Sequence, residues 1–301
     1  MQVGHWIEYI AFQFISALLG VLPLSRVRRI GAFLGETAYN VLGFRRPVTR
    51  ENLRLAFPDA TDTEIEAIAR ESFRNIATTL VELLYYPSLD EKDIRSAVEF
   101  GDDDVVVRLY EQGKGIILLT SHLGNWELLP IAVHLRTGIP VSSLYKPQSN
   151  LLIDRKIAER RIRFGTRIIP MGLSVRDVLR CLHDGEAVLM AADQSAPKES
   201  IRVNFFGRST PVFQGPALFS LKTGAPLVLS HMVRTKDGGY RLQFLEIPSA
   251  DLSNTEDGIR ELTKRHVAAT EEIIREAPEQ WMWMHRRWKH ATDRPGNHEN
   301  S

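Results

Sequence analysis

The stretch GIILLTSHLGNWE, residues 115–127, sets a histidine at the end of an apolar run and a carboxylate five residues further on. Imidazole accepts a proton near neutral pH and a carboxylate can hold its tautomer, so the two residue types together suit general-base chemistry. Their spacing constrains where they lie. On one helix, at about 100° per residue, His122 and Glu127 would point about 140° apart and could not meet. They can pair if His122 sits in the turn after a strand and Glu127 on the first turn of the next helix, with Gly124 and Asn125 bending the chain between them. The same residues also fit a plain strand-to-helix junction in which Asn125 only caps the helix. A metal site is not expected: helical His/Glu metal pairs use a four-residue step, and no third ligand stands at a recognisable spacing. Ser121 adjoins His122, but no G-x-S-x-G elbow occurs in the chain, which argues against a serine hydrolase.

Such a turn needs a sheet behind it. From Val98 onward strand and helix patterns alternate, with strands expected at 115–120, 141–145, 167–169, 187–191, 227–232 and 240–247. Helices are expected at 126–136, 151–164, 174–183, 216–222 and 255–276. The pattern predicts an α/β fold with a central sheet flanked by helices. Ligands in open α/β sheets gather outside the carboxyl ends of strands, so those ends can be searched for chemistry. Asp193 and Gln194 follow one strand in EAVLMAADQS, and Arg234 follows another in APLVLSHMVR. With His122 and Glu127 they would give one cleft a base, an acid–amide pair and a cation; singly, Asp193 is as well a turn residue and Arg234 a surface charge. The arginines of residues 155–163 suit the phosphates of an anionic lipid or acidic partner, or form a solvated face. Phe205, Phe206 and Phe213 either line an acyl pocket or belong to the core.

The N-terminus carries a different signal. Residues 6–24, WIEYIAFQFISALLGVLPL, would reach roughly 28 Å as a helix, close to the thickness of a bilayer core. Glu8, Gln13 and Ser16 weaken that span, which leaves a helix lying in the interface, or a buried one, as alternatives. There is no basic segment ahead of the apolar run, as a signal peptide would require. The basic residues follow it, so the positive-inside rule puts Arg26, Arg28, Arg29 and everything beyond on the cytoplasmic side. Ile30, Phe33, Leu34, Ala38, Val41 and Leu42 then recur at helical spacing, with Gly31 and Gly35 as a small-residue step that would admit a second helix. Thr61–Glu64, TDTE, is a capping box opening a helix that Pro87 ends. Lys and Arg total 38 against 37 Asp and Glu, a balance that names no polyanionic partner and gives no reason to expect nucleic acid. The single cysteine, Cys181, rules out an intrachain disulfide and is read as a packing residue.

Taken together, SHLGNWE, ADQS, NFFG, TGAP and the C-terminal PEQWMWMHRRWK resemble the lipid A biosynthesis late acyltransferases, the lauroyl/myristoyl transferase family. The resemblance extends to the N-terminal apolar segment and to ENLRLAFP, residues 51–58. It implies a glycerolipid-acyltransferase-like mixed sheet flanked by helices, with an N-terminal helical membrane anchor. The organisation would be an anchor and amphipathic helix over 1–45, an acyltransferase domain over 46–292 and a polar, disordered tail over 293–301. The implied reaction moves a fatty acyl chain from a thioester, typically on acyl carrier protein, to a hydroxyl of a lipid A precursor. It would take place at the cytoplasmic face of the inner membrane, with membrane lipid around it and no cofactor beyond the donor. In that chemistry His122 removes the hydroxyl proton and Glu127 holds the imidazole, while the backbone N–H groups of Gly124 and Asn125 are candidates to receive the oxyanion. By the same resemblance Asn125, Arg161, Asp193 and Gln194 bind substrate. The aromatic and basic tail, with Trp281, Trp283, Arg286, Arg287 and Trp288, either sits at the headgroup layer or packs on the sheet. Acyl-CoA-dependent acylation of a phosphatidylinositol mannoside or another glycolipid stays open, as does a noncatalytic membrane lipid-binding protein.

Overall fold

A computed structural model describes residues 3–171 and 174–292; the polar tail expected over 293–301 lies outside them. The chain begins with four helices, α1 (Val3–Gly20), α2 (Leu24–Asn40), α3 (Arg46–Ala56) and α4 (Asp62–Tyr85). The capping box is formed: Glu64 N–H donates to the Thr61 side chain and the Thr61 N–H donates to the Glu64 carboxylate at 2.7 Å. α4 ends in a short 3₁₀ turn, Tyr86–Ser88, that contains Pro87. α2 lies directly on α4, and a Cβ at Gly35 would overlap the backbone of Phe73, so this glycine is required by the close approach of the two helices.

The expectation of a spanning anchor is corrected: among the described residues no helix is long and apolar enough to cross a membrane. The apolar segment breaks after Gly20, and Pro23, with no N–H to continue the ladder, precedes the separate helix α2. Two polar side chains of α1, Glu8 and Ser16, are committed to protein partners further along the chain. Asn150 donates to Glu8 at 2.8 Å and to the His5 carbonyl at 2.9 Å, and Arg160 donates to Ser16 Oγ at 2.8 Å.

Beyond a short helix α5 (Glu91–Ala97) the chain builds the sheet through β1 (Val98–Phe100), α6 (Asp103–Tyr110), β2 (Ile116–Thr120), α7 (Leu129–Thr137), β3 (Val141–Tyr145), α8 (Leu151–Ile162) and β4 (Arg167–Pro170). It continues with α9 (Ser174–His183), β5 (Ala187–Ala191), a hairpin of β6 (Arg202–Phe205) and β7 (Arg208–Pro211), α10 (Gly215–Thr223), β8 (Leu227–Arg234), β9 (Tyr240–Ile247) and α11 (Glu256–Glu276). Seven strands form one sheet in the order β1-β9-β8-β2-β5-β3-β4. β9 is antiparallel to β8 and β1 follows β9, so the sheet is mixed around a parallel centre. β2 lies at that centre. All five of its residues are buried, with Ile117 and Leu119 in one core and Ile116 and Leu118 in the other, because helices cover both faces. Thr120 pairs with Ala191, so β2 and β5 end level with each other and release Ser121–His122 beside Ala192–Asp193.

The C-terminal aromatics close this core rather than reach a headgroup layer. Trp281, Trp283, Trp288 and Arg287 are buried among Phe205 and Phe206, which pack in this core. The Arg287 guanidinium lies 4.8 Å over the Phe205 ring and donates to the Pro211 carbonyl at 3.1 Å.

Candidate active site

His122 stands in the turn between β2 and α7 with 23% of its side chain exposed. Its partner is the carboxylate released by the neighbouring strand. Asp193 Oδ1 lies 2.8 Å from His122 Nδ1, and Oδ2 accepts from the His122 backbone N–H and from Trp281 Nε1, both at 2.8 Å. The Asp193 side chain is 3% exposed. Burial works against its charge, but the imidazole charge and the three donors hold its pKa down at about 2. Burial likewise disfavours an imidazolium at His122, yet the charge and hydrogen bond of Asp193, with a smaller contribution from Glu127, outweigh it and raise the pKa above 6.5. An ionised Asp193 fixes a neutral ring as the Nδ1–H tautomer. Nε2 is then the basic nitrogen.

The expected His122–Glu127 hydrogen bond is corrected. Glu127 Oε2 accepts from Arg161 Nε at 2.9 Å and Oε1 from Nη2 at 2.7 Å, a bidentate pair with both side chains largely buried. Glu127 also lies ahead of the helix, not on it. Asn125 Oδ1 accepts from Leu128 N–H at 3.0 Å, which closes a turn over 126–128 and delays α7 to Leu129. What remains is electrostatic: Glu127 is close enough to favour a charged ring, and Trp126 lies against it with ring centroids 5.3 Å apart.

The four expected substrate residues divide. Gln194 is at the ring, its Nε2 3.3 Å from His122 Nε2. Asp193 is bonded to the His122 ring, and Arg161 clamps Glu127. Asn125 does not contact the His122 ring: it is 0% exposed, and Nδ2 donates to Glu82 at 2.9 Å and to Tyr240 at 3.1 Å. It anchors the turn from below.

The oxyanion donors expected at Gly124 and Asn125 are also corrected, because both N–H groups are already engaged, with the carbonyls of Gln280 and Met232 at 3.0 Å each. Gly124 adopts φ +60°, and a Cβ there would overlap the Met232 carbonyl. Gly124→Ala is therefore expected to cost about 2–4 kcal/mol of stability through left-handed backbone strain and overpacking, read from the urea midpoint. Arg234 is not a cleft cation either. It pairs with the buried Glu82 at 2.9 and 3.0 Å, and Arg28 and the Tyr240 hydroxyl bond the same carboxylate at 2.6 Å each. Burial opposes the Glu82 charge, but Arg234 and Arg28 keep its pKa below the usual value. Glu82→Gln strips two guanidiniums of their counter-ion and is expected to destabilise the fold by about 3–5 kcal/mol, again by urea unfolding.

Three contributors were not among the expected site residues: Glu82, Trp281, which was read only as part of the tail, and His285, whose Nε2 accepts from Ser195 N–H at 3.0 Å and so ties down the loop bearing Asp193. For Glu82 a signal existed. Ser72, Asn75, Thr79 and Glu82 form a polar stripe at helical spacing on the buried side of α4.

The family model for bacterial lipid A biosynthesis acyltransferases matches residues 2–290. The chain is 28% identical over 271 residues to the lipid A biosynthesis palmitoleoyltransferase of Escherichia coli, covering 89% of this chain and 86% of that one. It is 25% identical over 290 residues to the lipid A biosynthesis lauroyltransferase of the same organism, covering 95% and 92%. A phosphatidylinositol mannoside acyltransferase of Mycolicibacterium smegmatis is 25% identical over 177 residues, 57% of each chain. With a family match over nearly its whole length, the chain belongs to the bacterial lipid A biosynthesis acyltransferase family.

Proposed function

We propose that this acyltransferase moves a fatty acyl chain from a thioester on acyl carrier protein to a hydroxyl of a lipid A precursor, at the cytoplasmic face of the inner membrane. The observation that carries the reading is the His122–Asp193 pair at the carboxyl end of the central strand, with Nε2 next to the Gln194 amide. His122 Nε2 takes the proton of the acceptor hydroxyl as its oxygen attacks the thioester carbonyl. The new C–O bond forms, the tetrahedral intermediate collapses with loss of the C–S bond, and the imidazolium returns the proton to the leaving thiolate. Asp193 stabilises the imidazolium in between. The Gln194 amide replaces the Gly124 and Asn125 backbone as our candidate oxyanion donor, and Glu127 with Arg161 adds charge stabilisation beside the ring. No covalent acyl-enzyme is required.

Membrane association in this reading is monotopic. Val3, Ile7, Ile10, Phe14 and Leu18 are exposed along one stripe of α1 with Val21 just beyond it, and Phe33, Leu34, Val41 and Leu42 are exposed on or just after α2. Exposed apolar side chains of that kind, with Arg26 and Arg29 exposed at the start of α2, suit the interface of an anionic leaflet. The positive-inside argument lapses with the spanning helix, so the cytoplasmic assignment rests on the proposed donor. Replacing Ile7 and Phe14 together with aspartate should weaken flotation with phosphatidylcholine vesicles by at least about 10²-fold, at about 1.5–3 kcal/mol per buried apolar side chain.

The decisive assay offers the purified protein acyl carrier protein or acyl-CoA thioesters together with a lipid A precursor or a phosphatidylinositol mannoside. Transfer from the carrier protein to the lipid A precursor is expected. Transfer only from acyl-CoA to the mannoside would replace the substrate assignment, and transfer in no combination would favour a noncatalytic lipid-binding protein.

A further inference from the structure

A cleft of about 540 Å³ lies between the C-terminal half of α1 and the C-terminal half of α8, and none of the residues around His122 lines it. Gln13, Ser16 and Gly20 line one side, and Lys156, Arg160 and Arg163 line the other. The one carboxylate in its wall, Glu159, is already paired with Lys156 at 2.7 Å and Arg155 at 3.3 Å. Arg160 is the informative residue. It is 5% exposed, but its hydrogen-bond partners are neutral: Ser16 Oγ at 2.8 Å and the Leu83 carbonyl at 3.3 Å, with the Phe12 ring 4.4 Å away. Burial pushes its pKa down to about 10, offset only in part by Glu159. A buried guanidinium held by neutral groups carries a desolvation cost that an anion arriving in the cleft would offset.

The place of the cleft on α1 narrows the kind of anion. The cleft-lining positions Gln13, Ser16, Ala17 and Gly20 form a stripe next to the exposed apolar stripe of Ile7, Ile10, Phe14, Leu18 and Val21. With that apolar stripe in a leaflet, the cleft opens at headgroup level. We propose that the cleft binds the phosphate group of an anionic membrane lipid, with Lys156, Arg160 and Arg163 as its cations. The lipid source rests on the monotopic reading above; the phosphate chemistry does not.

The test uses the full chain and monomeric short-chain lipids, so that diffuse attraction to a charged surface plays no part. Dihexanoyl phosphatidylglycerol, dihexanoyl phosphatidylcholine and inorganic phosphate are each titrated calorimetrically against the wild type, against Lys156→Gln/Arg163→Gln and against Arg26→Gln/Arg29→Gln. Both cleft substitutions fall on side chains that reach solvent, and because Arg163 also donates to the Tyr86 carbonyl at 2.7 Å the urea midpoint of the cleft variant is measured beside its binding. The wild type is expected to bind phosphatidylglycerol saturably and in preference to phosphatidylcholine. The cleft variant should bind it roughly 30-fold more weakly, about fivefold per cation removed, and the surface variant should match the wild type. No saturable binding, equal binding of the zwitterionic lipid, or full binding by the cleft variant would overturn the proposal. Inorganic phosphate binding as tightly as the lipid, with the same loss in the cleft variant, would overturn the lipid source alone. Vesicle flotation of the Ile7/Phe14 variant decides the monotopic reading separately.

Discussion

His122→Ala is expected to lower acyl transfer by about 10²–10⁴-fold while leaving the fold intact. The loss follows from removing the only imidazole bonded to Asp193 through its ring among the described residues. The intact fold follows from what remains. The Asp193 carboxylate would keep two of its donors, the backbone N–H of residue 122 and Trp281 Nε1, so no buried charge is left without hydrogen bonds. The turn itself is held by the Gly124 and Asn125 amides and by the Met282 N–H, which donates to the His122 carbonyl at 3.0 Å, and none of these involves the ring. Single-turnover transfer from an acyl thioester, with circular dichroism and urea midpoint as folding controls, measures both halves. Activity retained above about one-tenth would remove His122 from the role of base.

The architecture was readable where local physics dominates. β2, IILLT, is buried on both faces and so is nearly all apolar, while β9, YRLQFLEI, alternates because one of its faces is exposed; both patterns are local, and five strands besides β2 were legible. β1 and the β6–β7 hairpin were missed: one has three residues, and the other takes its shape from packing against the C-terminal tryptophans. His122 was legible because its type and its place after a strand are both local. Its partner was not. Asp193 is 71 positions away, and the register that brings β5 alongside β2 is set by the fold, not by spacing. Grouping the polar residues at strand ends brought both to one cleft, yet assigned the partnership to Glu127, the nearer carboxylate in sequence. Arg234 misled for a related reason: its counter-ion, Glu82, comes from α4, and no local pattern on β8 announces it.

Asp193→Asn and Glu127→Gln separate the two carboxylates. Asparagine at 193 can offer an amide N–H to Nδ1, which puts the ring proton on Nε2 and removes the lone pair the reaction needs; transfer is expected to fall by about 10²–10⁴-fold. Glutamine at 127 leaves the His122–Asp193 bond in place and removes only the smallest of the contributions that favour a charged ring, so a smaller loss, about tenfold or less, is expected. The pH dependence adds an independent readout. The base works only when neutral, so kcat/KM should rise with pH through a midpoint above 6.5, the direction in which Asp193 moves the His122 pKa. Removing the Asp193 charge leaves burial, which lowers that pKa, less opposed, and the midpoint should move to lower pH while the plateau drops. Glu127→Gln should move it the same way by less. Stability runs against activity here. A histidine whose pKa is raised by folding stabilises the protein fully below its unfolded value and loses that contribution as pH rises through the folded one, so this part of the stability is lost as the enzyme becomes competent. In Asp193→Asn that pH-dependent component should shrink with the midpoint. If Glu127→Gln instead shows the larger loss and the larger shift, Glu127 is the partner of the imidazole in the working state, and the Arg161 pair is a resting arrangement that substrate must break.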